Sequence, residues 1–390
     1  MSHQPDSIAR HSPLPGSVSR PVTNPLQPSV VYASTDPDEL DAQYEGRLSG
    51  YTYAREGHPN ADALAATLGW LEGAGDDGVV TGSGMAAIGA VFLGILKTGD
   101  HILGGDQLYG RSHRMMTTDL VRLGFETSLA DTTDAEAVAA LIRPNTRAIL
   151  VETVSNPTLR VADIDGIARL ASDRDVLLVV DNTFSTPRGF RPFSHEADVV
   201  VHSVTKMLAG HSDVTLGYAV ARDPAANAAI RDAAVTWGLT PSPFDCWLAE
   251  RGLHTFELRY DRAESTATRL ADALAELSGV EAVSYPGRAD HPDHSRAAEL
   301  FGGRNGTIVG MRLAGGREHA NTFVRAAAPI PFAPTLGDVS TLISHPASSS
   351  HRRLSESERE ALGITEGFIR ISVGIEDPDP LITHLTTATN

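Results

Sequence analysis

Long apolar segments dominate the middle of this chain of 390 residues. Between residues 78 and 221 they run without the alternation of apolar and polar positions that is typical of a half-exposed strand. Continuous runs of this kind, separated by helical periodicity, indicate parallel strands covered by helices on both faces. We therefore predict an α/β domain with a parallel sheet. The predicted strands are Gly78–Thr81, His101–Gly104, Thr127–Ala130, Arg147–Glu152, Val176–Asp181, Asp198–His202 and Thr215–Ala221.

A different pattern follows this region. Apolar positions at helical spacing predict one long helix from Cys246 to Leu277, which leaves the first domain. Apolar runs at Val280–Tyr285, Thr307–Leu313 and Phe368–Val373 then predict strands mixed with helices, and so a smaller α+β domain. At the other end of the chain, six prolines from Pro5 to Pro28 exclude a regular helix and predict an extended arm.

Composition and charge narrow the possible functions. The net charge of −17 repels phosphate backbones and anionic lipid surfaces, so neither nucleic acid nor a membrane is expected as a partner. No apolar run reaches the roughly 20 residues of a membrane-spanning helix, and no signal-peptide core follows Met1. The single cysteine excludes a disulfide within the chain and a zinc site of several thiolates. We expect a soluble, cytoplasmic protein without a metal site.

Lysine is almost absent, because only Lys97 and Lys206 occur and all other Lys or Arg positions are arginine. Lys97 lies in a polar turn, where solvation accounts for it. Lys206 follows the apolar run Val199–Val201, where an unpaired ammonium group would cost several kcal/mol. Lysine, unlike arginine, can lose its proton and attack a carbonyl carbon. We predict that Lys206 forms a Schiff base; the competing interpretation is a lysine that only extends its charge to solvent.

Ligands of a parallel sheet bind beyond the carboxyl ends of its strands, and four predicted ends carry unusual residues. One closes on Asp181, a carboxylate that needs a cationic partner, and another on Ser203–Lys206, which adds two hydroxyl groups to the lysine. A third, Thr81–Met85, places small residues before an apolar helix whose N-terminus favours an anion. Tyr109 follows the fourth end and offers an aromatic side chain to cover a ring.

One ligand would use all of these groups. A pyridine nitrogen would face Asp181, an aldehyde would condense with Lys206, and a phosphate would bind at the start of the apolar helix. We therefore predict pyridoxal 5′-phosphate (PLP) as the cofactor. The residues predicted around it from the strand ends are Ser83, Gly84, Met85, Tyr109, Asp181, Ser203, Thr205 and Lys206.

These residues resemble the cystathionine and methionine γ-lyase/γ-synthase family, fold-type I PLP enzymes of cysteine and methionine metabolism. Ser203–Lys206 with Gly210–Asp213 resembles the family's lysine motif, and Val179–Phe184, which contains Thr183, resembles its pyridinium-binding strand end. The resemblance extends from about Asn24 to Ile382. It implies a large, mostly parallel-sheet domain, a smaller α+β C-terminal domain and an extended N-terminal arm. The expected division is residues 1–60 for the arm and an inter-subunit loop, 61–248 for the PLP-binding domain and 249–390 for the C-terminal domain.

The resemblance also implies roles that the strand pattern does not show. In the loop Tyr51–Asn60, Tyr53 and Arg55 would reach the cofactor phosphate of a neighbouring subunit, within a homotetramer of two catalytic dimers. Asn156 would bond the phenolic oxygen of PLP, and Arg370 would bind the substrate α-carboxylate in a bidentate pair. Catalytic roles fall to Lys206, Tyr109 and Asp181, and Thr183 joins the cofactor site. The implied substrate site contains Arg370, Thr335, Tyr53 and Arg111.

The implied reaction is α,γ-elimination from a sulfur amino acid such as methionine or cystathionine, which gives 2-oxobutanoate, ammonia and a thiol. A γ-replacement, as in cystathionine γ-synthase or O-acylhomoserine sulfhydrylase, is the alternative. Pro334 stands where cystathionine enzymes commonly have a glutamate that meets the distal ammonium, which favours an uncharged thioether. Arg111 stands where methionine γ-lyases usually have cysteine, and Arg114 resembles an arginine of cystathionine enzymes, so these two positions argue the other way.

Other classes of function remain as alternatives. Gly82–Ala87 fits the G-x-G-x-x-A pattern of nicotinamide-binding enzymes but leaves Asp181 and Lys206 unexplained. Ser203–Lys206 reads S-x-x-K and Lys97–Gly99 reads K-T-G, as in acyl-serine enzymes, but the order of the motifs is wrong. A protein that holds PLP without catalysis would keep the same residues and show no turnover.

Overall fold

The computed structural model describes residues 17–389. Residues 1–16, which include three prolines of the predicted arm, and residue 390 lie outside the described part. From residue 17 to residue 36 the chain forms no helix and only one isolated bridge, as predicted for an extended arm. This segment lies on its own chain, because the Trp247 indole donates to the Asn24 carbonyl at 2.9 Å and the Asn60 amide donates to the Pro25 carbonyl at 3.0 Å.

Seven strands form the central sheet of the large domain. Their bounds are β1 Val79–Thr81, β2 His101–Gly105, β3 Glu126–Ala130, β4 Thr146–Glu152, β5 Leu177–Asp181, β6 Val199–His202 and β7 Gly217–Ala221. Their order in the sheet is β1-β7-β6-β5-β4-β2-β3. All seven predicted strands are confirmed, and the expected mostly parallel sheet is confirmed as well; the exception is β7, which runs antiparallel to both neighbours. Apolar runs indicate burial on two faces, and one antiparallel strand inside a helix-covered sheet has the same pattern as its parallel neighbours.

Helices cover both faces of this sheet. Their bounds are α1 Pro37–Tyr44, α2 Pro59–Glu72, α3 Gly84–Ile95, α4 Gly110–Arg114, α5 Leu120–Arg122, α6 Ala135–Ala139, α7 Ile164–Asp173, α8 Thr186–Gly189, α9 Pro224–Thr236 and α10 Pro243–Leu253. A π-helical segment, Met115–Asp119, joins α4 to α5, and a 3₁₀ turn spans Pro192–His195.

Alternate residues of each central strand enter two different cores. Val179 packs with Ile88 of α3 on one face, while Val200 packs with Leu64 of α2 on the other. All four of these side chains are buried. Each such side chain contributes about 1.5–3 kcal/mol when it leaves water, so the strand ends have fixed positions.

The smaller domain contains a four-stranded antiparallel sheet. Its strands are β8 Val280–Ser284, β9 Ile308–Leu313, β10 Leu342–Ser344 and β11 Phe368–Ser372, and their order is β10-β11-β9-β8. Its helices are α11 Phe256–Ala275, α12 His294–Phe301, α13 Gly316–Ala326, α14 Glu356–Ala361 and α15 Pro378–Thr389, with a 3₁₀ turn at Pro346–Ser348. The α+β prediction and its three strands are confirmed; β10 is an addition.

The long helix predicted from Cys246 to Leu277 is in fact two helices, α10 and α11, separated at His254 and Thr255. At this break the Arg259 side chain binds the last turn of α10. Its guanidinium donates a hydrogen bond to the Gly252 carbonyl at 2.9 Å. The domain boundary predicted at residue 248 falls inside α10, which packs on α2, and it stays a prediction. Among residues 17–389, no helix has both the length and the apolar character needed to cross a bilayer.

Candidate active site

The carboxyl ends of the central strands open into a cavity of about 820 Å³. Its other walls come from residues 334–336 and 348–354. The volume lies within the range of small-molecule sites. Most of the residues predicted for the site line this one cavity. They are Ser83, Gly84, Met85, Tyr109, Arg111, Asn156, Asp181, Thr183, Ser203, Thr205, Lys206, Thr335 and Arg370.

Two predicted residues, Tyr53 and Arg55, do not line the cavity. Both are exposed, and the Arg55 guanidinium carbon lies 5.6 Å from the centre of the Tyr53 ring. The prediction that they serve a neighbouring subunit stays a prediction.

The amine of Lys206 is largely buried and lies 3.0 Å from the Thr335 hydroxyl, to which it donates a hydrogen bond. Burial, together with the nearby Arg370 guanidinium, lowers the pKa of Lys206 to about 8. A neutral amine is therefore accessible near physiological pH, which is the condition for attack on a carbonyl carbon.

The main chain that carries Lys206 is held from two sides. On one side, Arg259, which is 4% exposed, donates to the carbonyls of Met207 and Leu208 at 2.7 and 2.9 Å. On the other side, a Cβ at Gly337 would lie 2.9 Å from the carbonyl carbon of Lys206, so only glycine allows this approach. Gly337 also has a φ of +78°, in the left-handed region that favours glycine.

A further link closes the loop between β6 and β7 at its base. The Thr205 hydroxyl donates to the Leu216 carbonyl at 3.1 Å and accepts from the Leu216 N–H at 2.9 Å. Thr205 lines the cavity as predicted, but its hydroxyl proton is directed to Leu216 in this structure. The loop is therefore anchored at both ends.

Two carboxyl groups lie side by side at the ends of β4 and β5, where Glu152 pairs in register with Asp181. Burial raises the pKa of Asp181, and hydrogen bonds from the Thr183 N–H and hydroxyl, at 3.1 and 2.5 Å, oppose this rise. Burial and the Asp181 charge raise the pKa of Glu152 well above its usual range. One Glu152 oxygen accepts from the Tyr109 N–H at 2.6 Å, and the other is buried without a hydrogen-bond partner. The pair therefore suits a cationic ligand group.

A polar network lies beneath these strand ends. His202 and Glu72, both 1% exposed, form a direct contact, and the Asn182 amide donates to the same Glu72 carboxylate at 3.1 Å. This network connects the end of α2 to the residues that precede Ser203 and Thr183.

The N-terminus of α3 forms another wall of the cavity. The Ser83 hydroxyl accepts from the Ala86 N–H at 3.1 Å and caps the helix. Gly84 and Met85 belong to the first turn, whose N–H groups have no partner within the helix and favour an anion. A Cβ at Gly84 would lie 2.8 Å from the Ser203 Cβ, so the glycine lets the helix approach the lysine loop.

Arg370 is the deepest cation of the cavity, at 4% exposure. Its guanidinium donates to the Asn156 side-chain oxygen at 2.7 Å and to the Thr335 carbonyl at 2.8 Å, while its Nε has no partner. Burial lowers the pKa of Arg370 to about 10, so the group stays cationic at neutral pH. Asn156, which was predicted to contact the cofactor, is thus hydrogen-bonded to Arg370, which was predicted to bind the substrate.

Several cavity residues in the segment before β11 were not predicted from the sequence. His351 is buried and its ring accepts or donates a bond with the Ser350 hydroxyl at 2.9 Å; burial and the Arg370 charge lower the pKa of His351 to about 4. Arg352 and Arg353 follow it and also line the cavity. This segment has no helical or strand periodicity that would place it at the cavity. The adjacent arginines Arg352 and Arg353 are the signal in the sequence that could have suggested a binding role.

A family model for Cys/Met metabolism PLP-dependent enzymes matches residues 10–390. The chain belongs to this family. Cystathionine beta-lyase MetC of Bacillus subtilis (strain 168) is 39% identical over 360 residues, which are 92% of this chain and 89% of that protein. Cystathionine gamma-lyase of the same strain is 39% identical over 343 residues, 88% of this chain and 89% of that protein.

A solved structure of a putative O-acetylhomoserine (thiol)-lyase from Campylobacter jejuni has a TM-score of 0.90 at 28% identity and covers 96% of each chain. It contains N′-pyridoxyl-lysine-5′-monophosphate. The predicted family, fold class and cofactor are confirmed for this Cys/Met metabolism enzyme.

The residues of the cavity in this Cys/Met metabolism enzyme fit PLP by their own chemistry. It combines an amine of lowered pKa, a buried carboxyl pair with an unpartnered oxygen, and the free amides of a helix N-terminus. An aldehyde, a pyridinium and a phosphate need these three kinds of group.

Proposed function

We propose that this enzyme cleaves the bond between Cγ and sulfur in a sulfur amino acid and releases 2-oxobutanoate, ammonia and a thiol. The observation that carries the proposal is the largely buried Lys206 amine, of lowered pKa, beside Thr335 in a cavity that Arg370 also lines. An amine base next to a fixed carboxylate receptor is what removal of the Cα proton from an amino acid requires.

Lys206, Asp181 and the start of α3 would hold PLP, which supplies an electron sink for carbanion chemistry when it is bound. Asp181 would keep a positive charge at the ring nitrogen, and Thr183 orients that carboxylate. Ser83, Ser203, Thr205 and the amides of Gly84 and Met85 would surround the phosphate. Tyr109 would cover the ring, since Glu152 fixes its main chain.

The remaining steps belong to the chain's own side chains. Arg370 would exchange its bonds to Asn156 and Thr335 for a bidentate pair with the substrate α-carboxylate. The neutral Lys206 amine would remove the Cα proton, pass it on within the bound substrate–cofactor complex and, neutral again, remove a Cβ proton. Tyr109 would donate its hydroxyl proton to the departing sulfur. Water would enter the final hydrolysis that releases 2-oxobutanoate and ammonia.

Replacement at Cγ is the second candidate, supported by the structural likeness to an O-acetylhomoserine (thiol)-lyase. Elimination at Cβ is a further outcome to test, because a cystathionine beta-lyase is 39% identical. The products separate these cases: 2-oxobutanoate indicates γ-elimination, pyruvate indicates β-elimination, and a thioether formed from added thiol indicates replacement.

The test uses the holoenzyme with methionine, cystathionine and O-acetylhomoserine, each with and without added cysteine. Visible absorbance that borohydride bleaches, with the reduced adduct on Lys206, is the expected sign of the cofactor. Lys206→Ala should keep its fold and lose turnover, while Lys97→Ala, at the only other lysine, should keep both. Turnover that survives in Lys206→Ala would contradict the proposal.

A further inference from the structure

Four arginines, Arg111, Arg114, Arg352 and Arg353, line the cavity at its solvent side. Arg114 is paired with Asp119, with its Nε 3.3 Å from the carboxylate. The guanidinium groups of the other three are exposed and, within residues 17–389, have no ion-pair or hydrogen-bond partner. In a chain of net charge −17, this is a local concentration of free positive charge at one opening.

The segment that carries Arg352 and Arg353 has a fixed position. The Ser348 hydroxyl accepts from Arg317 at 2.6 Å, and the Ser349 hydroxyl donates to the His345 carbonyl at 2.8 Å. A Cβ at Gly110 would overlap the Ser350 carbonyl, so this segment also packs tightly on the start of α4. The two arginines therefore face the cavity from an anchored backbone.

Negative groups of the cavity are confined to another wall. Its carboxyl groups are Asp106, Glu152 and Asp181, all in the large domain after β2 or at the ends of β4 and β5. Residues 334–336 and 348–354 contribute no carboxylate, and Pro334 supplies neither charge nor N–H. This side can hold an anion and has no carboxylate to pair with an ammonium group.

We propose that Arg352 and Arg353, with Arg111, select a substrate whose γ-substituent ends in a carboxylate and carries no ammonium group. The proposal rests on the proposed function, because it concerns the far end of the same substrate. Arg370 receives the α-carboxylate at depth, and the arginines at the opening receive the second one. The substrate is thus a dicarboxylic thioether amino acid, longer than methionine and less cationic than cystathionine.

Four thioethers of homocysteine test the charge directly, because all release 2-oxobutanoate in one assay. Their sulfur substituents are propyl, 2-carboxyethyl, 2-aminoethyl and the 2-amino-2-carboxyethyl group of cystathionine. At low ionic strength the carboxyethyl compound should have a kcat/KM about tenfold above that of the propyl compound, the size expected of two or three exposed charge pairs. The aminoethyl compound should be the poorest. This tenfold preference should shrink in about 0.5 M salt, since salt screens exposed charges.

The variant is the double change Arg352→Gln and Arg353→Gln, and its matched control is Arg325→Gln, an exposed arginine of α13 outside the cavity. The double variant should bring the carboxyethyl-to-propyl ratio close to one and remove its salt dependence. The control should keep the wild-type ratio. Thermal unfolding of both variants checks that the fold is retained.

Equal kcat/KM values for the carboxyethyl and propyl compounds, or a ratio unchanged in the double variant, would overturn the proposal. A tenfold loss of PLP affinity with an unchanged ratio would place the arginines on the cofactor phosphate and would also overturn it. If no thioether is cleaved, the proposed function fails by itself. Binding of the same compounds, followed through the visible absorbance of the holoenzyme, then decides the charge preference separately.

Discussion

Gly337 is the position where a single methyl group should disturb the reactive lysine most directly. Its φ of +78° costs alanine about 1–2 kcal/mol. The added Cβ would also lie 2.9 Å from the carbonyl carbon of Lys206 and 3.0 Å from the Met207 Cα. Relief requires the two backbones to separate, and overpacking of this kind typically costs about 1–3 kcal/mol. Gly337→Ala should therefore lose about 2–5 kcal/mol of stability.

The same separation should move Lys206 away from Thr335, two residues before Gly337. A displacement near 1 Å can lower a rate about 100-fold, so kcat/KM should fall by this order. Gly363→Ala is the matched control, because Gly363 has a φ of +77° and open space around its Cβ position. It should lose about 1–2 kcal/mol and keep kcat/KM.

The measurements are denaturant unfolding and steady-state kinetics on both variants. If the two variants lose stability and activity to the same extent, the contact between Gly337 and the lysine segment has no effect, and the argument from close approach is wrong.

Three further outcomes are expected. Because burial and Arg370 lower the pKa of Lys206 to about 8, the rate at which apoenzyme captures PLP should rise with pH, with a midpoint near 8, in stopped-flow absorbance; a midpoint near 10.5 would show an unperturbed lysine. Arg259→Met would leave three buried carbonyls without their donor at about 1–3 kcal/mol each, so its melting temperature should fall steeply, whereas Arg262→Met, an exposed control, should melt near the wild type. Burial and the Asp181 charge raise the pKa of Glu152, and a neutral glutamine keeps a side-chain oxygen that can accept from the Tyr109 N–H, so Glu152→Gln should retain stability and most of kcat; Glu152→Leu removes this acceptor and should lower kcat, and equal kinetics of the two would show that the Tyr109 bond is unimportant.

Much of the fold could be predicted because burial on both faces leaves a direct trace in the sequence. Runs such as Val176–Val180 are apolar throughout, and each predicted strand coincides with an observed one to within two residues. A single antiparallel strand buried on both faces leaves the same trace as a parallel one, so the reversal of β7 was not predicted. The three-residue strand β10 has too few positions for any period to appear.

The site residues also fall into those that the strand pattern predicts and those that only the tertiary fold brings together. Asp181 and Lys206 were predictable because Asp181 ends β5 and Lys206 lies four residues after β6, and the sheet itself brings the carboxyl ends of such strands together. Glu152, the last residue of the neighbouring strand, was not predicted as a site residue, because its pairing with Asp181 depends on the order of the strands in the sheet. Arg259 and Arg352 lie on a helix and a loop far along the chain, and only the tertiary fold places Arg259 against the lysine segment and Arg352 in the cavity wall.

The reversal of β7 has a consequence for how this enzyme can diversify. β7 begins at the edge of the sheet where the parallel strands end, so the loop from β6 to β7 leaves and re-enters the sheet at the same edge. Two hydrogen bonds between Thr205 and Leu216 hold the base of this short loop. The amide proton of Leu216, which the Thr205 hydroxyl accepts, should exchange with deuterated solvent as slowly as those of the adjoining strands. The reactive amine then belongs to a part of the molecule that tolerates little change. We expect changes among residues 348–354, supplied by the other domain, to redirect the enzyme to new compounds while the chemistry stays in place.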